Sequence, residues 1–237
     1  MSVAPKTAMV LAAGLGTRMR PLTNDRPKAL VEVGGRALID HVLDRLVAAG
    51  VEKAVVNVHW FADRLESHLK ARTDVEIVIS DERAELLETG GGVKHARALL
   101  GDDPVWVANI DSVWLDDGDA LVDLARAWDP ERMDVLLLLA RREGSIGFEG
   151  DGDFFLEDDG RLTFRGEAPS APYAYMGAHI MKPQIVDGEA TGPFSLSRIW
   201  RRLAPEGRLH GRVLDGFWMH VGDPASRDEA EAKLRGA

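Results

Sequence analysis

The chain has 237 residues, a formal net charge of −10 at pH 7 and no cysteine. Surplus acid repels polymeric phosphate, which excludes nucleic acid and anionic membrane surfaces as natural partners, and the missing thiols exclude disulfides and thiolate chemistry. The 45% hydrophobic content supports a sizeable core, while no signal-peptide pattern and no apolar run of about 18 residues is present, so a single-domain cytoplasmic protein is expected.

Ala8-Met9-Val10-Leu11-Ala12 is an unbroken apolar run, the pattern of a strand buried on both faces. A turn of small residues follows, Ala13-Gly14-Leu15-Gly16-Thr17. Then come four cations within eleven residues, Arg18, Arg20, Arg26 and Lys28. Glycines let backbone N–H groups curl around an anion, arginine offers a planar fork and lysine a compact charge. A phosphate-binding turn is therefore expected, although neither G-x-G-x-x-G (Met19 replaces the third glycine) nor the Walker pattern fits. Against the acidic background, these cations suit a small anionic ligand.

Val31 to Gly35 reads as an extended piece and a turn. Arg36 to Ala49 carries apolar residues at helical spacing and stops at Gly50. Strands are expected at 53–58, 76–80, 104–109 and 134–140, with helices at 62–70 and 120–128 between them. Three glycines, Gly90-Gly91-Gly92, read as a loop opening a helix that runs to Leu100. This alternation predicts an α/β fold, a doubly wound, mainly parallel sheet with helices on both faces. From Arg141 onward the texture changes to short strands and Gly/Asp/Pro turns: 152–157, 161–164 and 173–181, then a helix at 195–203, a strand at 209–214 and a helix at 224–234. The chain thus divides into a core over about 1–140 and a mixed, more antiparallel half over about 141–237. Ligands of open parallel sheets bind beyond the carboxyl ends of the strands, where Gly14 and Asp111 both fall.

The string L-A-A-G-x-G-T-R-M-R-P-L-T from Leu11, followed by Pro27-Lys28, closely resembles the signature of sugar-1-phosphate nucleotidyltransferases. The resemblance implies a Rossmann-like nucleotidyltransferase fold and transfer of a nucleotidyl group to a sugar 1-phosphate, with pyrophosphate released. Ala12, Ala13, Gly14, Gly16, Thr17 and Arg18 then contact the nucleotide, and Lys28 touches phosphate on the sugar side. Asp111, in a pair that has Ile110 where the family has glycine, takes the place of the metal aspartate, so Mg²⁺ is the implied cofactor. Phe217-Trp218-Met219-His220-Val221-Gly222-Asp223 resembles the late W-x-D-V-G-T segment, with His220 replacing the second metal aspartate. His220 binds a softer ion such as Mn²⁺, holds the metal through water or contacts phosphate, and Asp223 is an alternative ligand.

The E-T-G-G-G form from Glu88 resembles N-acetylmuramate α-1-phosphate uridylyltransferases, in which this loop, here including Glu88 and Gly91, holds the base. That branch implies UTP and N-acetylmuramic acid α-1-phosphate as substrates, in the service of cell-wall recycling. The shared loop keeps mannose-1-phosphate guanylyltransferase open, and the changes at Ile110 and His220 keep a non-catalytic nucleotide-sugar sensor open. On the sugar side the resemblance points to Asp153, Glu167 and Gly177, with Asn109 and Trp114 flanking the metal aspartate. The family's E-K-P lysine is absent at Glu167-Ala168-Pro169. The acidic runs at Asp116–Asp119 and Glu157–Gly160 read as solvated turns. The partners are small molecules, and the chain acts as a monomer or small homo-oligomer.

Overall fold

The computed structural model describes residues 4–236. β1 (Thr7–Leu11) is the buried run at the start, and its alternation sends Ala8 and Val10 to one face and Met9 to the other. A 3₁₀ turn at Thr17–Met19 and another at Lys28–Leu30 lead to a small hairpin, β2 (Glu32–Val33) and β3 (Arg36–Ala37). Then follow α1 (Leu38–Ala48), β4 (Lys53–Val58), α2 (Ala62–Leu69), β5 (Glu76–Asp81), α3 (Glu88–His95) and a short α4 (Arg97–Leu100). β6 (Val105–Asn109) turns tightly into β7 (Ser112–Leu115), and α5 (Ala120–Ala127) precedes β8 (Val135–Arg141). β9 (Phe154–Leu156), β10 (Leu162–Phe164) and the long β11 (Tyr173–Met181) come next. The chain ends with α6 (Leu196–Leu203), β12 (Leu209–Val213), β13 (Phe217–His220) and α7 (Pro224–Arg235).

β5, β4, β1 and β6 form a parallel sheet, and β11 joins it antiparallel beside β6. β8 pairs antiparallel with β11 and parallel with β12, so strands of both halves share one sheet. Leu38, Leu65 and Leu124 of α1, α2 and α5 pack on the face of Ala8 and Val10, whereas Val93 of α3 and Leu196 and Ile199 of α6 pack on the face of Met9. That is the doubly wound arrangement, built because each strand is apolar on both sides.

Sequence patterning missed β7 and β13. They pair antiparallel with each other, Trp218 opposite Trp114 and His220 opposite Ser112. This two-stranded ribbon lies apart from the main sheet and brings Asp111, just before Ser112, and His220 together at one end. β11 shifts register between Tyr175 and His179, a bulge containing Gly177 at φ 98°.

In the acidic run at 116–119, residues 117–119 are exposed, in line with a solvated turn, and only Asp116 departs from it among the described residues. The Asp116 side chain is nearly fully buried, ion-paired with Arg45, and accepts the Ala120 N–H at 3.0 Å at the start of α5. Asp159 does lie exposed, paired with Arg161.

Candidate active site

The first part of the site is the turn after β1. Gly16 sits at φ 62°, and a Cβ there would stand 3.0 Å from both Lys28 Cβ and Thr23 Cγ2. The left-handed backbone and the close approach of Lys28 both require glycine. Thr23 Oγ1 donates to the Gly16 carbonyl at 2.8 Å, and buried Met19 pins the following 3₁₀ turn. Gly14 has open space where a Cβ would be. Thr17 and Arg18 line the resulting cavity of about 320 Å³.

Two expectations change here. Of the four cations, only Arg18 and Lys28 border the cavity, and Arg26 is spent on Asp25 at 3.0 Å. Ala12 and Ala13 line the cavity, but their N–H groups donate to Asn57 Oδ1 at 2.6 and 3.2 Å. Their amides therefore support the turn, and amides that meet an anion must come from later in the loop.

Lys28 is only 8% exposed. Its Nζ lies 2.8 Å from Asp111 Oδ2. Asp111 occupies the two-residue turn between β6 and β7, and its carbonyl accepts the Val221 N–H at 2.8 Å. Ile110, in place of the family's glycine, is 5% exposed and packs in the core, so the larger side chain fills the interior. His220 Nδ1–H donates to the Gly147 carbonyl at 3.1 Å, which turns Nε2 toward Asp111 Oδ2 at 3.5 Å. Burial pushes the Asp111 carboxyl up, but His220 and Lys28 outweigh it and hold the group well below the ordinary carboxylate range. Burial also pushes His220 down, and the Asp111 carboxylate more than offsets this, leaving the imidazole above its ordinary value.

This donor set fits a divalent ion. A carboxylate oxygen and an imidazole nitrogen fixed by a backbone carbonyl face each other, the outer hydrogen bond that metal-binding histidines carry. No group of three or more His, Cys, Asp or Glu suited to a metal occurs among the described residues, so further ligands would be substrate phosphate and water. Asp223 is not among them. Its side chain caps α7 by accepting the Ser226 N–H at 2.8 Å.

Gly90, Gly91 and Gly92 lie inside α3 rather than in a loop before it. All three are buried, and their missing side chains let the helix dock. A Cβ on Gly90 would stand 2.3 Å from Phe194, one on Gly91 2.4 Å from the Gly192 carbonyl, and one on Gly92 2.8 Å from Glu82 Oε1. Gly91 therefore packs behind the cavity, while Glu88, at φ 59°, and Thr89 line it. Gly91→Ala is expected to destabilise the fold by about 1–3 kcal/mol through overpacking against backbone, despite alanine's better helix propensity. Thermal denaturation checks this, and a variant more stable than the parent would return the glycines to a flexible role.

Asn57 and Glu82 are functional candidates that the sequence reading missed. Glu82, 2% exposed, accepts Asn57 Nδ2–H at 2.7 Å through Oε1 and the Leu87 N–H at 3.3 Å through Oε2. One buried pair thus ties the turn at Ala12-Ala13 to the entrance of α3. The available signal was an asparagine inside the otherwise apolar strand Val55-Val56-Asn57-Val58.

A second cavity of about 450 Å³ continues from the first, sharing Leu11, Thr89 and Asn109. Asn109 is thus at the junction. Asp153 lines this cavity with Oδ2 accepting the Tyr175 N–H at 2.9 Å, and Tyr175 meets His179 Nδ1 at 2.7 Å. His179 is fully buried and pushed down to about 3 by that burial, so it stays neutral. Gly177 lies beneath the site: a Cβ there would stand 3.2 Å from Asn109 Cβ and Ser112 Cβ, and the residue does not line the cavity. Glu167 is exposed and also outside the lining, where Arg165 and Arg201 stand instead. Trp114 is buried under Arg45, away from both cavities.

The sequence pattern of the family described as nucleotidyl transferase matches residues 7–236. The chain is 62% identical, over 99% of its own length and 99% of the relative's, to an N-acetylmuramate alpha-1-phosphate uridylyltransferase of Caulobacter vibrioides. It is 35% identical to a protein of the same description from Neisseria meningitidis serogroup B, over 97% of this chain and 98% of that one. Among solved structures, an inositol-1-phosphate CTP transferase from T. maritima superposes with a TM-score of 0.80 at 18% identity, covering 99% of this chain and 98% of that one.

Proposed function

The chain belongs to the nucleotidyl transferase family, and from that premise we propose that it joins UTP to N-acetylmuramic acid α-1-phosphate and releases pyrophosphate. The observation that carries this reading is the 62% identity along the whole chain to a protein of that activity. The two joined cavities support it, one beside the glycine turn for a nucleoside triphosphate and one beyond Asn109 for a sugar.

In this reading Arg18, Lys28 and Asn109 face the phosphates. An oxygen of the sugar phosphate attacks the α-phosphorus of UTP in line, the bond to the β-phosphate oxygen breaks, and pyrophosphate leaves with the electron pair. No acid–base step is required, so positioning and charge neutralisation carry the rate. Arg18 draws on the triphosphate, and Lys28 holds the developing negative charge from a site fixed by Gly16 and Asp111. Asp111 and His220 would hold a divalent ion, which when bound supplies charge neutralisation at the phosphate oxygens. Glu88 and Thr89, at the entrance of α3, stand where the base fits. Among the described residues no helix is long and apolar enough to cross a membrane, and we place the enzyme in the cytoplasm, feeding nucleotide-sugar synthesis for the cell wall.

The test is pyrophosphate release from UTP, GTP, dTTP, CTP and ATP against a set of sugar 1-phosphates. Preference for UTP with N-acetylmuramic acid α-1-phosphate is expected, and a dominant reaction of GTP with mannose 1-phosphate would overturn the substrate assignment.

The substitution of histidine at the late metal position carries its own prediction. Imidazole is a softer ligand than carboxylate, so His220→Asp is expected to move the ratio of kcat/KM with Mn²⁺ to that with Mg²⁺ toward Mg²⁺ by about tenfold or more. An unchanged ratio would remove His220 from the metal.

A further inference from the structure

The sugar cavity is positively charged in a chain of net charge −10. Most arginine forks here are neutralised: Arg72 by Asp44 and Asp74, Arg83 by Asp63, Glu66 and Asp81, Arg208 by Asp134. Arg165 and Arg201 are not. Arg165 Nε donates to the Gly152 carbonyl at 3.0 Å and Nη1 to the Ala168 carbonyl at 2.9 Å. Two backbone oxygens fix the guanidinium without cancelling its charge, and Nη2 has no acceptor among the described residues. Arg201, on α6, stacks its guanidinium 4.4 Å from the centre of the Phe164 ring. Phe164 and Arg165 are adjacent in the chain, so β10 and α6 bring both cations to one wall. Among the described residues Asp153 is the one acidic residue lining the cavity, and its Oδ2 already accepts the Tyr175 N–H.

A sugar 1-phosphate with no other charge needs cations only at its phosphate, and Lys28 and Arg18 stand at the other cavity. A second pair of unneutralised guanidinium groups suits a second anion. N-acetylmuramic acid differs from N-acetylglucosamine by a lactyl ether that ends in a carboxylate, and arginine is the side chain matched to that planar group. We propose that Arg165 and Arg201 form a carboxylate subsite that reads this lactyl group and so sets the choice of sugar. The inference rests on the substrate reading above.

The experiment compares kcat/KM with UTP for N-acetylmuramic acid α-1-phosphate and for N-acetylglucosamine α-1-phosphate, in the parent, in R201M and in R165M/R201M. Methionine keeps an apolar stem over Phe164 while removing the charge, and the uncharged sugar reports whether each variant still folds and catalyses. The preference for the muramyl substrate is expected to fall about tenfold in R201M and about 100-fold in the double variant, with the glucosamine rate within about twofold of the parent. A preference unchanged in the double variant would overturn the subsite while leaving the substrate reading intact. Equal losses on both sugars would also overturn it, since they place the arginines on the shared phosphate. A parent enzyme that does not prefer the muramyl substrate would overturn the substrate reading itself.

Discussion

Lys28→Met is expected to lower kcat for nucleotidyl transfer by about 10²–10³-fold, the loss seen when one preorganised charge or donor is removed from a developing oxyanion. Lys28 is only 8% exposed, and its ammonium stands 2.8 Å from Asp111 Oδ2. In the proposed role it would meet the reacting phosphates already desolvated and already oriented, with no reorganisation left for the reaction itself. Methionine fills the stem's volume beside Gly16 and leaves Asp111 facing His220 alone. Some stability will be lost with the ion pair, so the kinetic effect is to be read on folded protein at a temperature well below the melting transition. The division between constants decides the role. A fall in kcat with little change in KM places Lys28 on the transition state, whereas a rise in KM alone makes it a uniform binder of the sugar phosphate.

Lys28 was legible in the sequence because its motif is contiguous, and the buried strand before it announced itself as an unbroken apolar run. The same local logic found β4, β8 and β11. It failed where structure depends on partners far along the chain. β7 and β13 are four residues each, and Trp218 meets Trp114 across more than a hundred residues, so neither strand carries a local signal. The glycines at 90–92 read as a loop because glycine weakens helices, yet Phe194 and the Gly192 carbonyl press so close that only glycine allows α3 to dock. Arg165 and Arg201 were not singled out by the sequence. What marks them is a place in the cavity wall with no ion pair among the described residues, which a sequence does not display. Asp153, Glu167 and Gly177 came from the resemblance alone, and of these Asp153 lines the cavity.

Asn57→Ala is expected to reach both the fold and the nucleotide site. The side chain accepts from Ala12 and Ala13 N–H and donates to Glu82, so its removal leaves two backbone donors and one carboxylate oxygen without protein partners in the wall of the first cavity. At about 1–3 kcal/mol for each buried polar group left unpaired, part of which relaxation recovers, the loss is about 3 kcal/mol. For a chain of this size that lowers the melting temperature by about 10 °C. The turn after β1 would lose its support, so KM for the nucleotide should rise more than kcat falls. The pH dependence separates the two halves of the role. Burial pushes the Glu82 carboxyl above its ordinary value, against the pull of Asn57 and the Leu87 N–H. A group raised in the folded state contributes stability that is present below the ordinary carboxyl pKa and lost as pH rises through the folded-state value. Without Asn57 the folded-state value rises further, so the deficit of Asn57→Ala against the parent should be largest near neutrality and narrow as pH falls toward the ordinary carboxyl range. Urea denaturation of both proteins across that range measures it. A deficit that stays constant would confine Asn57 to the two amides of the turn and leave Glu82 to α3 alone.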